Sequence, residues 1–158
     1  MNQNLFDNIK DLINKQRYEE VIQLLVPTLS SSKSAEDDKI AACYYLSSAY
    51  NQLGCKQESL VTLFQSFVYD LPRAELTCKI GQLYLESEDY SKAIFWFEQT
   101  LALNTKISNA FAIKEYWGYI PALELSRCHL LLGAKEKANL YSKLSDFHRA
   151  RLIEDYLE

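Results

Sequence analysis

The feature that most constrains the fold of this chain is a repeat with a period of about 34 residues. The segment that begins at Ala74, AELTCKIGQLYLESEDYSKAIFWFEQTLALN, aligns with the segment that begins at Ile40, IAACYYLSSAYNQLGCKQESLVTLFQSFVYD. Tyr84 then aligns with Tyr50. A period of this order is typical of repeat architectures, in which each unit buries its apolar face only by packing on its neighbours. The sequence therefore predicts a stack of similar units.

Two weaker copies flank this pair. The first begins near Asn2 and the last near Tyr119, so that the steps between aligned positions are 38, 34 and 45 residues. Insertions at SSSKS and at 105–116 account for the longer steps. A terminal repeat needs a polar outer face, which the long last segment can provide as a capping helix. We expect a single domain over 1–158, with repeats near 2–35, 40–73, 74–107 and 119–152.

Each repeat has the pattern of two packed helices. In the third copy, Gly81 and Ala93 supply small residues where backbones approach, and Phe97 supplies a ring that fills a gap. The chain has only four Gly and three Pro, too few for the turns of an all-β fold. Apolar residues recur with the helical period, which predicts an all-α fold with helices near 2–15, 18–30, 36–53, 56–70, 73–87, 90–103, 116–132 and 135–156.

The copies resemble the tetratricopeptide repeat (TPR), a helix–turn–helix unit of this same period with the pattern W-x2-L-G-x2-Y…A-x3-F. The third copy carries the resemblance best, through IGQLY at 80–84, then Ala93 and Phe97, with Thr77 at the Trp position. The resemblance implies a right-handed superhelical solenoid of about four helix pairs, whose first helices line a concave face. It also implies a non-catalytic scaffold that binds a protein or a peptide.

The second half of the chain also resembles the repeat region that follows the catalytic domain in bacterial family 2 glycosyltransferases of the sublancin type. The shared stretches are PRAE at 72–75, AIFWF at 93–97 and WGYIP at 117–121. This resemblance implies the TPR portion of a bacterial glycosyltransferase without its catalytic half. The chain shows no nucleophile–base pair and no metal-binding Asp-x-Asp pattern, so we expect neither enzymatic activity nor a cofactor.

Charge and cysteine spacing narrow the choice of partners. The formal net charge is −4 and no basic run occurs, which argues against nucleic acid and anionic membranes. No apolar run is long enough to span a membrane and the N-terminus is not signal-like, so we expect a cytoplasmic protein. No C-x-x-C spacing joins the cysteines, which predicts reduced thiols and no metal site at Cys43, Cys55, Cys78 and Cys128.

The TPR resemblance places polar and aromatic side chains on the concave face. We expect partner contacts from Phe6, Lys10, Tyr44, Tyr45, Ser48, Lys79, Gln82, Glu86, Leu123 and Arg127. The charges on this face are mixed, with the acids Asp7, Glu75, Glu86 and Glu124 beside the bases Lys10, Lys79 and Arg127. A mixed surface that contains tyrosines suits a protein or peptide partner.

Two alternatives stay open at the sequence level. In the first, the stretch EYWGYIP after the insertion is a docking element, with Trp96, Trp117 and Tyr119 as interface aromatics. Against it stands the simpler interpretation that Trp117 fills a gap beside Trp96 as the chain re-enters the stack. The second alternative concerns function: the domain is a structural or dimerising module, in which exposed aromatics pair two copies of the chain.

Overall fold

The computed structural model describes residues 2–103 and 113–157. Their regular structure is entirely helical, which confirms the predicted fold class. The eight α-helices within these residues are α1 Gln3–Asn14, α2 Tyr18–Ser30, α3 Glu36–Gln52, α4 Lys56–Gln65, α5 Ala74–Glu86, α6 Tyr90–Ala102, α7 Tyr119–Leu131 and α8 Lys135–Leu157. Two short 3₁₀ helices, Ser66–Val68 and Lys114–Tyr116, precede α5 and α7. Most of the predicted insertion at 105–116 lies outside the described residues.

The helices form two compact units. The first contains α1–α4 and ends at Pro72, and the second begins at Arg73 and contains α5–α8. Within each unit, helices that follow one another along the chain pack against each other. Each unit thus holds two helix pairs with a core of its own. The single domain over 1–158 stays a prediction.

The same hydrogen bond closes the turn of four helix pairs in the described chain. A backbone N–H donates to the carbonyl five residues earlier, over 2.8–3.0 Å, from Arg17 to Leu12, Cys55 to Tyr50, Asp89 to Tyr84 and Ala134 to His129. The residue before each donor has a positive φ, and these residues are Gln16, Gly54, Glu88 and Gly133. This is the bond of a Schellman-type helix end. The acceptors follow one another at the same steps along the chain as the aligned positions of the repeat.

Small residues lie where the two helices of a pair come closest. An ideal Cβ on Gly81 of α5 would lie 2.7 Å from the ring of Phe97 on α6, and Phe97 is fully buried. In α3 and α4 the Ser59 hydroxyl donates to the Ser47 carbonyl over 2.8 Å. In α7 and α8 the Ser126 hydroxyl donates to the Ala138 carbonyl over the same distance. Short side chains therefore permit close backbone approach in these three pairs.

Two helix ends differ from the sequence prediction. Helix α4 ends at Gln65 rather than near residue 70, and the chain tightens into the 3₁₀ helix before Pro72. The Tyr69 N–H donates to the Ser66 carbonyl over 3.0 Å, which is the i→i+3 bond of a 3₁₀ turn, so the chain stays helical past α4 in a tighter form. Helix α7 begins at Tyr119 rather than 116, which places Pro121 in its first turn, where a missing N–H costs little.

The substitution Gly81→Ala should lower the free energy of unfolding by about 1–2 kcal/mol, because overpacking outweighs the gain in helix propensity. The added methyl group meets the buried Phe97 ring. Urea denaturation followed by circular dichroism measures the change. In the double variant Gly81→Ala/Phe97→Leu the two costs should be less than additive, because the smaller side chain leaves room. An unchanged midpoint for Gly81→Ala would contradict this packing.

Candidate functional site

In the first unit, three of the predicted contact residues form an aromatic cluster. Tyr45 stacks on Phe6 with ring centroids 5.8 Å apart, and Tyr44 meets Tyr45 edge to face at 5.3 Å. Both tyrosines are half-buried, but Phe6 is only 1% exposed. The structure therefore corrects the prediction for Phe6, which belongs to the core because α1 packs with this face inward. Phe6 supports Tyr45 from beneath, and the tyrosines form the surface.

Two polar residues complete this part of the surface. Lys10 is exposed and pairs with Asp7 over 3.3 Å, one turn earlier on α1. The Ser48 hydroxyl donates to the Tyr44 carbonyl over 3.0 Å, so its hydrogen is used within α3. Burial raises the pKa of Tyr45 to about 12, and Tyr44 and Asp7 add to the shift. Tyr45 is accordingly a neutral phenol at physiological pH.

In the second unit, residues of α5 and α7 line a cavity of about 240 Å³ that is open to solvent. Its lining consists of Gln82, Leu85, Glu86, Glu124 and Arg127. Three of these residues, Gln82, Glu86 and Arg127, are predicted contact residues that the fold brings together from two helices. Leu123 is exposed on α7, one residue before Glu124. We call this cavity and its lining residues the α5–α7 pocket.

Glu124 is the less exposed of the two acids in the α5–α7 pocket. Its side chain is 17% exposed, and its Oε2 is buried without a hydrogen-bond donor among the described residues. The Nη1 of Arg127 lies 3.7 Å from that oxygen, which is an ion pair but too long for a hydrogen bond. Burial raises the pKa of Glu124, and Arg127 partly counteracts the shift. The Oε2 of Glu124 thus has no donor at ordinary hydrogen-bond distance among the described residues.

Lys79 lies on α5, one turn before Gln82. It is half-buried, and burial lowers the pKa of its amine to about 8, although Cys78 and Glu86 act in the opposite direction. A buried ammonium loses hydration that its neighbours only partly replace. Lys79 therefore adds a positive charge near the α5–α7 pocket at the expense of stability.

Glu75 does not lie on the concave face as predicted. It is 1% exposed in the first turn of α5, and its Oε1 accepts hydrogen bonds from the Ile113 N–H over 2.8 Å and the Trp117 Nε1–H over 3.2 Å. One carboxylate oxygen thus holds the segment that leads into α7 against the start of α5. Sequence spacing gave no sign of this pairing, because the partners are 38 and 42 residues apart.

The three predicted docking aromatics have intramolecular contacts. Trp117 is half-buried and hydrogen-bonded to Glu75, as described above. Trp96 is half-buried and meets the exposed Phe95 edge to face at 5.5 Å. The Tyr119 carbonyl accepts a hydrogen bond from Ser145 of α8 over 3.3 Å. A docking role for these residues stays a prediction.

Metal ligation and thiol chemistry have little support in the described residues. Within 2–103 and 113–157, no three His, Cys, Asp or Glu side chains converge to hold a metal ion. Burial raises the pKa of the Cys128 thiol to about 11 and that of Cys43 to about 12. Such thiols are protonated and unreactive at neutral pH.

None of the described helices has the length and apolar character needed to cross a membrane.

The four turns, the small-residue contacts and the all-helical architecture define a TPR-like helical repeat protein. The sequence matches no protein-family model and no curated protein. Among solved structures, the chain is similar to the one described as "Crystal structure of MamA", a TPR-fold protein, with a TM-score of 0.72 and 16% sequence identity. The similarity covers 96% of this chain and 80% of that one. At this identity it establishes the fold.

The substitution Glu75→Leu should lower the free energy of unfolding by about 2–4 kcal/mol, because two donors lose their acceptor inside the protein. Glu75→Gln keeps an acceptor oxygen and should cost less than half as much. Both are best made in a Trp96→Phe background, where Trp117 is the remaining tryptophan. Glu75→Leu should then shift the fluorescence of Trp117 to longer wavelength. An unchanged emission and stability would contradict the Glu75 contacts.

The substitution Lys79→Met should stabilise the protein by about 1–3 kcal/mol at pH 7. The folded-state pKa of Lys79, about 8, lies below the ordinary value of 10.5. Wild-type stability should therefore rise as the pH increases from 8 towards 10.5, and the advantage of Lys79→Met should shrink. Urea denaturation at pH 7, 8.5 and 10 measures this trend. Lys143→Met, at an exposed lysine of α8, is the control, and the same pH trend in it would contradict the assignment.

Proposed function

We propose that this protein is a non-catalytic scaffold that binds a protein or a peptide through the first helices of its pairs. The TPR-like fold supports a protein-interaction role in general. The observation that carries the finer proposal is the α5–α7 pocket, where Gln82, Glu86 and Arg127 converge around open space. Charged side chains around an open pocket do not contribute to the core, and they can meet a partner.

The residue types on these helices support the same proposal. Tyr44 and Tyr45 present half-buried rings on α3, and Arg127 presents an exposed guanidinium on α7. Tyrosine and arginine are enriched among residues that dominate binding energy, since they combine apolar area with hydrogen bonding. Each unit therefore carries a candidate contact patch, one around Tyr45 and one in the α5–α7 pocket.

The resemblance to repeat regions of family 2 glycosyltransferases favours a particular setting. In this version of the proposal, the protein acts in the bacterial cytoplasm and positions an acceptor protein or peptide for a glycosyltransferase. The support is the sequence of three stretches, 72–75, 93–97 and 117–121. The chemistry of sugar transfer would then belong to the enzyme, and this chain would contribute recognition.

A dimerising module is the second candidate, and one observation favours it. Leu140 and Phe147 of α8 are exposed and seven residues apart, so they lie on one side of the helix. A second copy could cover them, although within the chain the Arg151 guanidinium already lies over the Phe147 ring at 5.8 Å. Light scattering during gel filtration distinguishes the candidates. A dimer that is lost in Phe147→Glu favours this module, whereas a monomer favours the scaffold.

Substitution of either contact patch should weaken peptide binding without unfolding the protein. Peptides are first selected on the immobilised protein from a random phage-displayed library, and their affinities are measured by fluorescence anisotropy. Arg127→Ala or Tyr45→Ala should raise the dissociation constant by roughly 10-fold or more, as expected for interface Arg and Tyr residues. Arg149→Ala, at an exposed arginine of α8, should not change it.

The opposite pattern would reject this assignment of the binding surface. If Arg127→Ala and Tyr45→Ala bind the selected peptides normally while Trp117→Phe does not, the functional surface is the stretch EYWGYIP. If the library yields no peptide that binds, the scaffold proposal itself fails.

A further inference from the structure

The carboxylates that line the α5–α7 pocket outnumber its basic side chains. Glu86 on α5 and Glu124 on α7 both line the cavity, together with the amide of Gln82. Arg127 is the single basic residue in the lining, so the formal charge of the lining residues is −1. An ionised carboxylate only accepts hydrogen bonds, and it can accept several. A ligand that fits this pocket should therefore bring donors and positive charge.

One oxygen atom of Glu124 has no hydrogen-bond donor among the described residues. No described residue donates a hydrogen bond to its buried Oε2, and the Nη1 of Arg127, its ion-pair partner, is 3.7 Å away. Burying a carboxylate without donors is costly, so a group that donates to Glu124 gains more there than at an exposed acid. The upward shift in the pKa of Glu124 has the same physical origin.

The volume of the α5–α7 pocket and its apolar residue Leu85 indicate what kind of ligand group fits. Its volume of about 240 Å³ is below the range of typical small-molecule sites, about 300–1,000 Å³, and suits a single long side chain. Leu85 is almost fully buried and supplies an apolar wall. Lysine and arginine combine an alkyl stem with a charged end. The stem would contact Leu85 while the charged end reaches the carboxylates.

Two positive charges face such a ligand, and neither blocks it. The Arg127 side chain is 65% exposed, and its contact with Glu124 is too long for a hydrogen bond. It can turn towards solvent at small cost, because exposed ion pairs contribute little, and there it can contact another part of the partner, as the expected effect of Arg127→Ala requires. Lys79 lies on α5 outside the lining, where Glu86 interacts favourably with its charge.

We propose that the α5–α7 pocket binds one lysine or arginine side chain of the partner, with Glu124 and Glu86 as acceptors and Leu85 against the alkyl stem. This inference rests on the proposed scaffold function. It adds to that function the charge and the residue type that the second unit recognises: the partner presents a positively charged lysine or arginine side chain to it.

The test uses capped amino acids as probes and the ¹⁵N-labelled full chain. Nα-acetyl-lysinamide, Nα-acetyl-argininamide and Nα-acetyl-norleucinamide are titrated at pH 7 while amide chemical shifts are recorded. At least one basic probe should cause saturable shifts at Gln82, Leu85 and Glu124, and the neutral norleucine probe should not. Glu124→Gln should raise the dissociation constant of that probe by roughly fivefold or more, and Glu136→Gln, on exposed α8, should leave it unchanged.

The outcomes separate this inference from the scaffold function. If neither basic probe gives saturable shifts in the pocket, or if a folded Glu124→Gln variant binds the probe as tightly as the wild type, the inference is wrong. The scaffold function survives that result provided that selected peptides still depend on Tyr45 or Arg127. Circular dichroism of Glu124→Gln establishes that it is folded, and Glu124→Asp serves as a second variant if it is not.

Discussion

The close approach of two helices within a pair is the interaction on which the other features of this protein depend. Gly81 lies so near the Phe97 ring that even one methyl group has no room. Ser59 and Ser126 reach across to backbone carbonyls of their partner helices. Close packing buries most of α5, including every residue from Ala74 to Cys78. The candidate surface residues of this helix, Lys79, Gln82 and Glu86, occupy the part that remains accessible.

Each first helix therefore carries both core residues and residues that can contact a partner. On α5, Cys78 and Gly81 face the core, while Lys79, Gln82 and Glu86 reach the surface. The α5–α7 pocket exists because α7 packs near α5 and presents Glu124 and Arg127 to the same space. Its electrostatics follow from partial burial, which removes hydration from Glu124 and Lys79 without supplying full replacement. The proposal that the partner brings a basic side chain rests on this partial burial.

Much of this architecture could be predicted because repeats determine packing locally. The repeat period and the positions of Gly81 and Phe97 are visible in the sequence, and they lead to the all-α fold. Gly54 and Gly133 mark two turns that have positive φ. The equivalent turns at Gln16 and Glu88 could not be recognised from composition, because non-glycine residues seldom adopt that conformation. There the packing of the flanking helices imposes it.

The sequence by itself determined the class of fold, the spacing of the turns and the small residues between paired helices, since these depend on short-range periodicity. It also placed Gln82, Glu86 and Arg127 on first helices. The tertiary structure decided which of the predicted residues are accessible: Phe6 and Glu75 are buried, and Tyr45 remains at the surface. It alone joined Glu75 to Trp117 and buried the Oε2 atom of Glu124. The physical reason is distance along the chain: contacts between residues in different repeats arise from helix packing, which no local pattern encodes.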